Sequence, residues 1–307
     1  MTRISLLLIL LPLVLLNCRQ QENKGKGRSA HPTGSHQASV RQDAATDSSV
    51  YHRFPSSREM LNYIRSSDFT YQPGLTNPTG NKGHYHSSFS RTLNLGGYLT
   101  DMAYLSHFKQ TRKTREYFNT VVELSNDLRI KIPEKQEVVD RASSDLSNID
   151  SLVRIGRDYE TKVLDYLKET GQERTLAILM TGSYIEGLYL AVHLVGDYRE
   201  GDPAVEKIAE QKYALDHLES FVRKHIRGAG DSPALSYLKD LNGIFRKLEI
   251  SRESTRIRRD SARHMVIEGG DRLVISEKDF VELRNKLDEI RHQMTAKNNK
   301  EGYVEED

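Results

Sequence analysis

The sequence predicts an all-α body, an irregular bundle or array of antiparallel helical hairpins, with a small β-hairpin near residues 266–275. Three observations predict it. Apolar residues recur at helical spacing through most of residues 51–295. Cap residues, prolines and glycines punctuate that pattern at short intervals. Val266 to Ile275 then places β-forming residues on both sides of Gly269-Gly270, a hairpin signal.

The elements follow in order. Residues 1–17 read as a lipoprotein-type signal peptide: Arg3 gives a positive start, and Ile4–Leu16 is apolar apart from Ser5 and Pro12. As a helix that run reaches about 20 Å, short of the ~30 Å hydrocarbon core, so export fits better than spanning. Cys18 follows at once and is the single cysteine of the chain. Leu15-Leu16-Asn17-Cys18 resembles the lipobox of bacterial lipoproteins, where the cysteine becomes diacylated (palmitate or a similar chain). Asn17 stands where that motif usually has Gly, Ala or Ser. Two or three acyl chains, at ~0.8 kcal/mol per buried CH₂, hold a membrane firmly where one does not. Residues 18–50 hold only Val40 and Val50 as sizeable aliphatics and are expected to be a disordered leash.

The helical domain is predicted over 51–295. Pro55-Ser56-Ser57 opens a short helix, and residues 70–87, with three glycines and two prolines, interrupt the pattern. So long a break in a compact domain reads as a lid, a binding loop or disorder. Helices are then expected over 88–110, 111–128, 133–146, 148–169 and 174–195. Asp202-Pro203 and Ser232-Pro233 each pair an N-cap with proline at the first helical position. Ser276 with Asp279 forms a capping box before a last helix to about Met294. Residues 296–307 read as a flexible tail. Leu95-Gly96-Gly97-Tyr98 begins like a tetratricopeptide repeat, but no 34-residue period continues.

Formal net charge is +2, falling to +1 without Arg3, which gives no electrostatic reason to expect nucleic acid. One cysteine excludes an internal disulfide framework. Helix 174–195 is apolar nearly all round and belongs at the centre of a fold. Its polar residues Glu186 and His193, flanked by Tyr184 and Tyr189, and Asp101 with Tyr104 on helix 88–110, are the candidates for a buried site. Were both stripes to face inward, Asp101 and Glu186 would share a proton or, with His193 or His107, hold a metal. The bland reading is a solvent seam, or carboxylates satisfied by tyrosine or arginine, and it is preferred; Gly96, Gly97 and Gly182 then serve close helix packing. No His-Glu-x-x-His, Walker loop, Gly-x-Ser-x-Gly elbow or repeated Glu-x-x-His occurs, so neither a metal nor a cofactor is expected. His84-Tyr85-His86 supplies two ligands without a third. Arg252, Arg256, Arg258 and Arg259 form a basic run interspersed with acids, a solvated face or a site for anionic headgroups, polysaccharide or an acidic protein.

Gly97-Tyr98-Leu99-Thr100-Asp101-Met102-Ala103-Tyr104 and Gly182-Ser183-Tyr184-Ile185-Glu186-Gly187-Leu188-Tyr189 resemble motifs of uncharacterised all-helical envelope lipoproteins from Bacteroidetes-type Gram-negative bacteria, over about residues 90–295. That resemblance implies an envelope lipoprotein with a helical body and brings no activity with it. The expected function is therefore a binding or scaffold component of an envelope complex. It would be anchored to a membrane, face the periplasm and contact an envelope protein through helices 88–128 and loop 70–87. The alternative is an enzyme or small-ligand receptor built on Asp101, Glu186, Tyr104, Tyr189 and His193.

Overall fold

The computed structural model describes residues 69–132, 148–226, 232–259 and 265–297, the side chains of 253–269 excepted. These fall in the unit Thr46–Asp307. The signal peptide, Cys18, the leash, the helix expected near 55–64, most of the helix expected over 133–146 and nearly all of the tail lie outside the described residues.

Seven α-helices and one antiparallel β-ribbon make up the described body. In chain order they are α1 (Ser88–His107), α2 (Thr111–Asp127), α3 (Ile149–Glu169), α4 (Glu173–Val195), α5 (Pro203–His225), α6 (Pro233–Phe245), β1 (Glu249–Arg259), β2 (Met265–Val274) and α7 (Glu277–Thr295). The fold is all-α with a small β-hairpin.

Local chemistry sets the helix starts. Asn148 Oδ1 accepts the Ser151 N–H at the start of α3 (3.2 Å), and Asp202 Oδ1 accepts the Ala204 N–H at α5 (2.8 Å) with Pro203 following. Ser276 Oγ accepts the Asp279 N–H at α7 (3.1 Å) and donates to the Asp279 carboxylate at 2.6 Å, so the N-cap forms and the acid closes on the cap hydroxyl instead of the backbone N–H of a capping box. Ser232 makes no side-chain cap to α6, where Pro233 alone marks the start.

Helix α4 is the hub, packed against α1, α3, α5, α6 and α7. Among the described residues it is the one helix long and apolar enough to cross a membrane, yet 78% of its most apolar window is buried inside the bundle. That burial accounts for an apolar circumference without invoking lipid. Helix α1 is its main partner and is itself interior, with fourteen of its residues buried. Of the helices 88–128 expected to form a contact surface, α1 is largely interior, and α2 has an exposed outer face with Arg112, Glu116, Asn119 and Glu123.

The ribbon differs in register from expectation. Its strands are 249–259 and 265–274, not two halves of 266–275. Glu249 pairs with Val274 and Arg259 with Met265, so the connection spans 260–264. Gly269-Gly270 lies inside β2, where Gly270 (φ 103°) stands opposite Glu253 at a register shift between Glu253 and Arg256. A Gly-Gly pair marks a bulge as readily as a turn, because both need a backbone that only glycine adopts cheaply. Helix α6 accordingly ends at Phe245, earlier than the period of Leu248 suggests, and the chain turns into β1. The ribbon rests on α5 through β2, where Arg272 meets Glu206 at 3.0 Å.

Residues 69–87 are not an open loop. They form a strap across α1, α2 and α7, with a 3-10 turn over Thr79–His84. Thr79 and Lys82 bind Glu116 and Glu123 of α2, and the Tyr85 carbonyl accepts from Arg91 of α1.

Candidate functional site

The site begins where α1 crosses α4. A Cβ on Gly96 would overlap the Leu179 carbonyl oxygen, and one on Gly182 would overlap that of Leu93, so only glycine permits this approach. Hydroxyls fill the remaining space: Ser183 Oγ donates to the Gly96 carbonyl at 2.9 Å, and Thr100 Oγ1 reaches the Gly96 and Ser183 carbonyls at 3.2 and 3.3 Å. The crossing sets Asp101 and Glu186, each about one turn further on, against one another.

Both acids are interior, with relative exposures of 0% and 1%. The Glu186 carboxyl is near enough to act on that of Asp101. Arg291 of α7 neutralises one of them. Its Nε donates to both Glu186 oxygens at 3.0 Å, and its Nη2 donates to Oε1 at 2.9 Å and to the Leu75 carbonyl of the strap at 2.6 Å. The guanidinium also stacks 4.1 Å from the Tyr189 ring centroid. Burial works against its charge, and the Glu186 carboxylate overcomes that to hold Arg291 above its ordinary pKa.

Asp101 has no such cation of its own. Its Oδ2 accepts the Asn77 N–H at 2.9 Å, while its buried Oδ1 has no donor. Burial first, and the neighbouring Glu186 second, raise its carboxyl well above the ordinary carboxylate range; Arg291 and the Asn77 N–H pull against them and lose. Asp101 Oδ1 is thus a buried carboxyl oxygen without a donor, on an acid whose neutral form burial favours.

Around this core the strap is gripped by its backbone and polar side chains. Tyr104 Oη accepts the Gln72 N–H (3.0 Å) and donates to the Gln72 carbonyl (3.2 Å). Tyr117 Oη donates to Thr76 Oγ1 at 2.8 Å, and Tyr98 Oη donates to the Pro78 carbonyl at 2.8 Å. The Asn77 amide donates to Tyr85 Oη (2.9 Å) and Asn94 Oδ1 (3.3 Å), and Asn94 Nδ2 donates to the Met294 carbonyl of α7 (2.9 Å). Burial raises the pKa of Tyr85, Tyr98, Tyr104 and Tyr117, keeping the hydroxyls neutral.

The structure thus brings together Asp101, Glu186 and Tyr189, which the sequence proposes, and gives each an internal partner. Tyr104 serves the strap. His193, one turn beyond Tyr189, faces outward to Asp288 (Nε2 to Oδ1, 3.1 Å) with Nδ1 2.9 Å from the Tyr189 carbonyl. Glu186 is therefore not part of a solvent seam; α7 and the strap cover that stripe. Tyr85 turns into the core between His84 and His86. Among the described residues, no three His, Cys, Asp or Glu side chains gather as a metal set. Arg252 is exposed on β1, while the side chains of Arg256, Arg258 and Arg259 lie outside the described residues.

Sequence reasoning missed Arg291, Asn77 and Asn94. Arg291 carried a signal: Leu283, Leu287, Ile290 and Met294 form the buried stripe of α7, and Arg291 sits beside it, one turn after Leu287. A cation there implies an acid across the core. No family model, curated protein sequence or solved structure matches this chain.

Proposed function

We propose that the chain is a membrane-tethered helical protein that works by binding, as a scaffold or accessory of a bacterial envelope complex. Acylated Cys18 and the polar leash would hold the body on the periplasmic side. The observation that supports a binding role is the engagement of the buried candidates. Glu186 is spent on Arg291, Asp101 on Asn77 and Glu186, and Tyr104 on Gln72. Residues committed to holding a strap on a bundle serve stability, and recognition then falls to outer surfaces such as that of α2. The test is Cys18→Ser with detergent-phase partitioning and in-cell crosslinking. The variant moves to the aqueous phase and loses its crosslinked partner; unchanged partitioning overturns the tether.

A second reading, an enzyme or small-ligand receptor, is favoured by one observation: a buried acid whose pKa is raised beside a second carboxyl is the arrangement of a general acid. For that role a ligand has to pass the strap. Titration of the purified protein with candidate small ligands while following strap protection separates the two readings.

A further inference from the structure

We propose that the strap is a proton-dependent latch: one proton held between Asp101 and Glu186 keeps residues 69–78 seated, and its loss opens them to solvent. The proposal stands apart from the tether and applies to the body alone.

The geometry rests on a charge count. Two fully buried carboxyls and one mostly buried guanidinium meet here, so charge balance calls for one proton. The other groups facing the pair carry no compensating charge. From the strap comes Tyr85, from α1 Tyr98 and Tyr104, from α2 Tyr117 and from α4 Tyr189. All are hydroxyls whose pKa burial raises. Helix α3 meets α1 at this level through Gly156 and Met102, an apolar contact. The next polar groups out are the half-buried His193 and the exposed Asp288, 3.1 Å apart.

Once the proton leaves, two buried carboxylates face a single guanidinium, which is bonded to Glu186, and the least costly relief is hydration. The strap is the element best suited to yield. Helices α1 and α4 are locked backbone to backbone at Gly96 and Gly182, whereas residues 69–78 have no helical or sheet hydrogen bonds of their own. They are held by side-chain contacts instead: Gln72 by Tyr104, Leu75 by Arg291, Thr76 by Tyr117, Asn77 by Asp101, Tyr85 and Asn94, and Pro78 by Tyr98. Two of these points, at Leu75 and Asn77, belong to the charged cluster itself. Segments held by few contacts open locally before the core does.

Amide hydrogen exchange of the full chain, followed from neutral to alkaline pH and corrected for intrinsic rates, tests this at two amides. The Gln72 N–H is bound to Tyr104 and the Asn77 N–H to Asp101. Protection of both falls about tenfold per pH unit as pH rises toward the titration of the pair and levels off beyond it, while amides of α4 keep theirs. In Asp101→Asn the fall disappears, because an amide supplies the donor and acceptor of the protonated acid at every pH. The infrared band of a protonated carboxyl, present in the wild type at neutral pH, is absent from that variant. A flat wild-type profile, the same slope in both proteins, or no such band overturns the proposal. So does an Asp101→Asn chain that fails to fold.

Discussion

At the scale of single residues, the molecule turns on an imbalance of two acids and one base. Arg291 is the member whose loss costs most. Arg291→Met removes the only buried cation from Glu186 and frees the Leu75 carbonyl, so unfolding by denaturant should show a loss of about 3–5 kcal/mol, the usual cost of leaving a buried charge unpaired. Asp101 works in the opposite direction. Its folded-state pKa is raised above that of the unfolded chain, so the native state keeps a proton that the unfolded state releases. Below about pH 4 both states hold it and this group affects nothing. As pH rises from there, stability falls by about 1.4 kcal/mol per unit until the folded-state pKa is passed, where the loss levels off. Asp101 was visible in the sequence as a lone acid among apolar neighbours. Its partner was not, because Arg291 lies 105 residues from Glu186 and 216 from Leu75, and no local period links such positions.

At the scale of elements, what was legible depended on whether the signal was local. Caps at Asp202 and Ser276 and the apolar periods of α1 to α5 and α7 act within a turn or two, and those helices begin within a residue of the expected positions. The strap and the ribbon are decided by distant contacts. The composition of residues 70–87 marks a break, yet tyrosines on α1 and α2 determine that it is seated. Gly269-Gly270 carries a turn signal, while pairing with β1 as far back as Glu249 places it inside β2, opposite the register shift of β1. The crossing of α1 and α4 gives the sharpest prediction here. Gly96→Ala and Gly182→Ala each place a methyl on a backbone carbonyl that cannot step aside. Each should cost about 3 kcal/mol in thermal or denaturant unfolding, toward the upper end of overpacking. Gly97→Ala meets Glu186 only at ordinary contact distance (3.9 Å) and should cost less, about the cost of an unremarkable substitution.

At the scale of the whole molecule, a nearly neutral, strongly charged surface encloses an apolar hub helix. That arrangement needs no bilayer to be stable, so tether and body are separable in principle. Cys18→Ser should therefore change where the protein resides without changing its unfolding midpoint, checked by fractionation and by circular dichroism of the released protein. A shared shift in both would mean that the membrane takes part in the fold. The body's dependence on pH is the more searching property, since it belongs to the acid pair and to nothing on the surface. Equilibrium unfolding of the wild type and of Asp101→Asn, compared from pH 4 to neutral, measures it most directly. The two proteins should be equally stable at the acid end and diverge as pH rises, the variant gaining about 1.4 kcal/mol per unit. Parallel curves, or a variant that is weaker at neutral pH, would show that Asp101 is ionised in the native state and contradict the account.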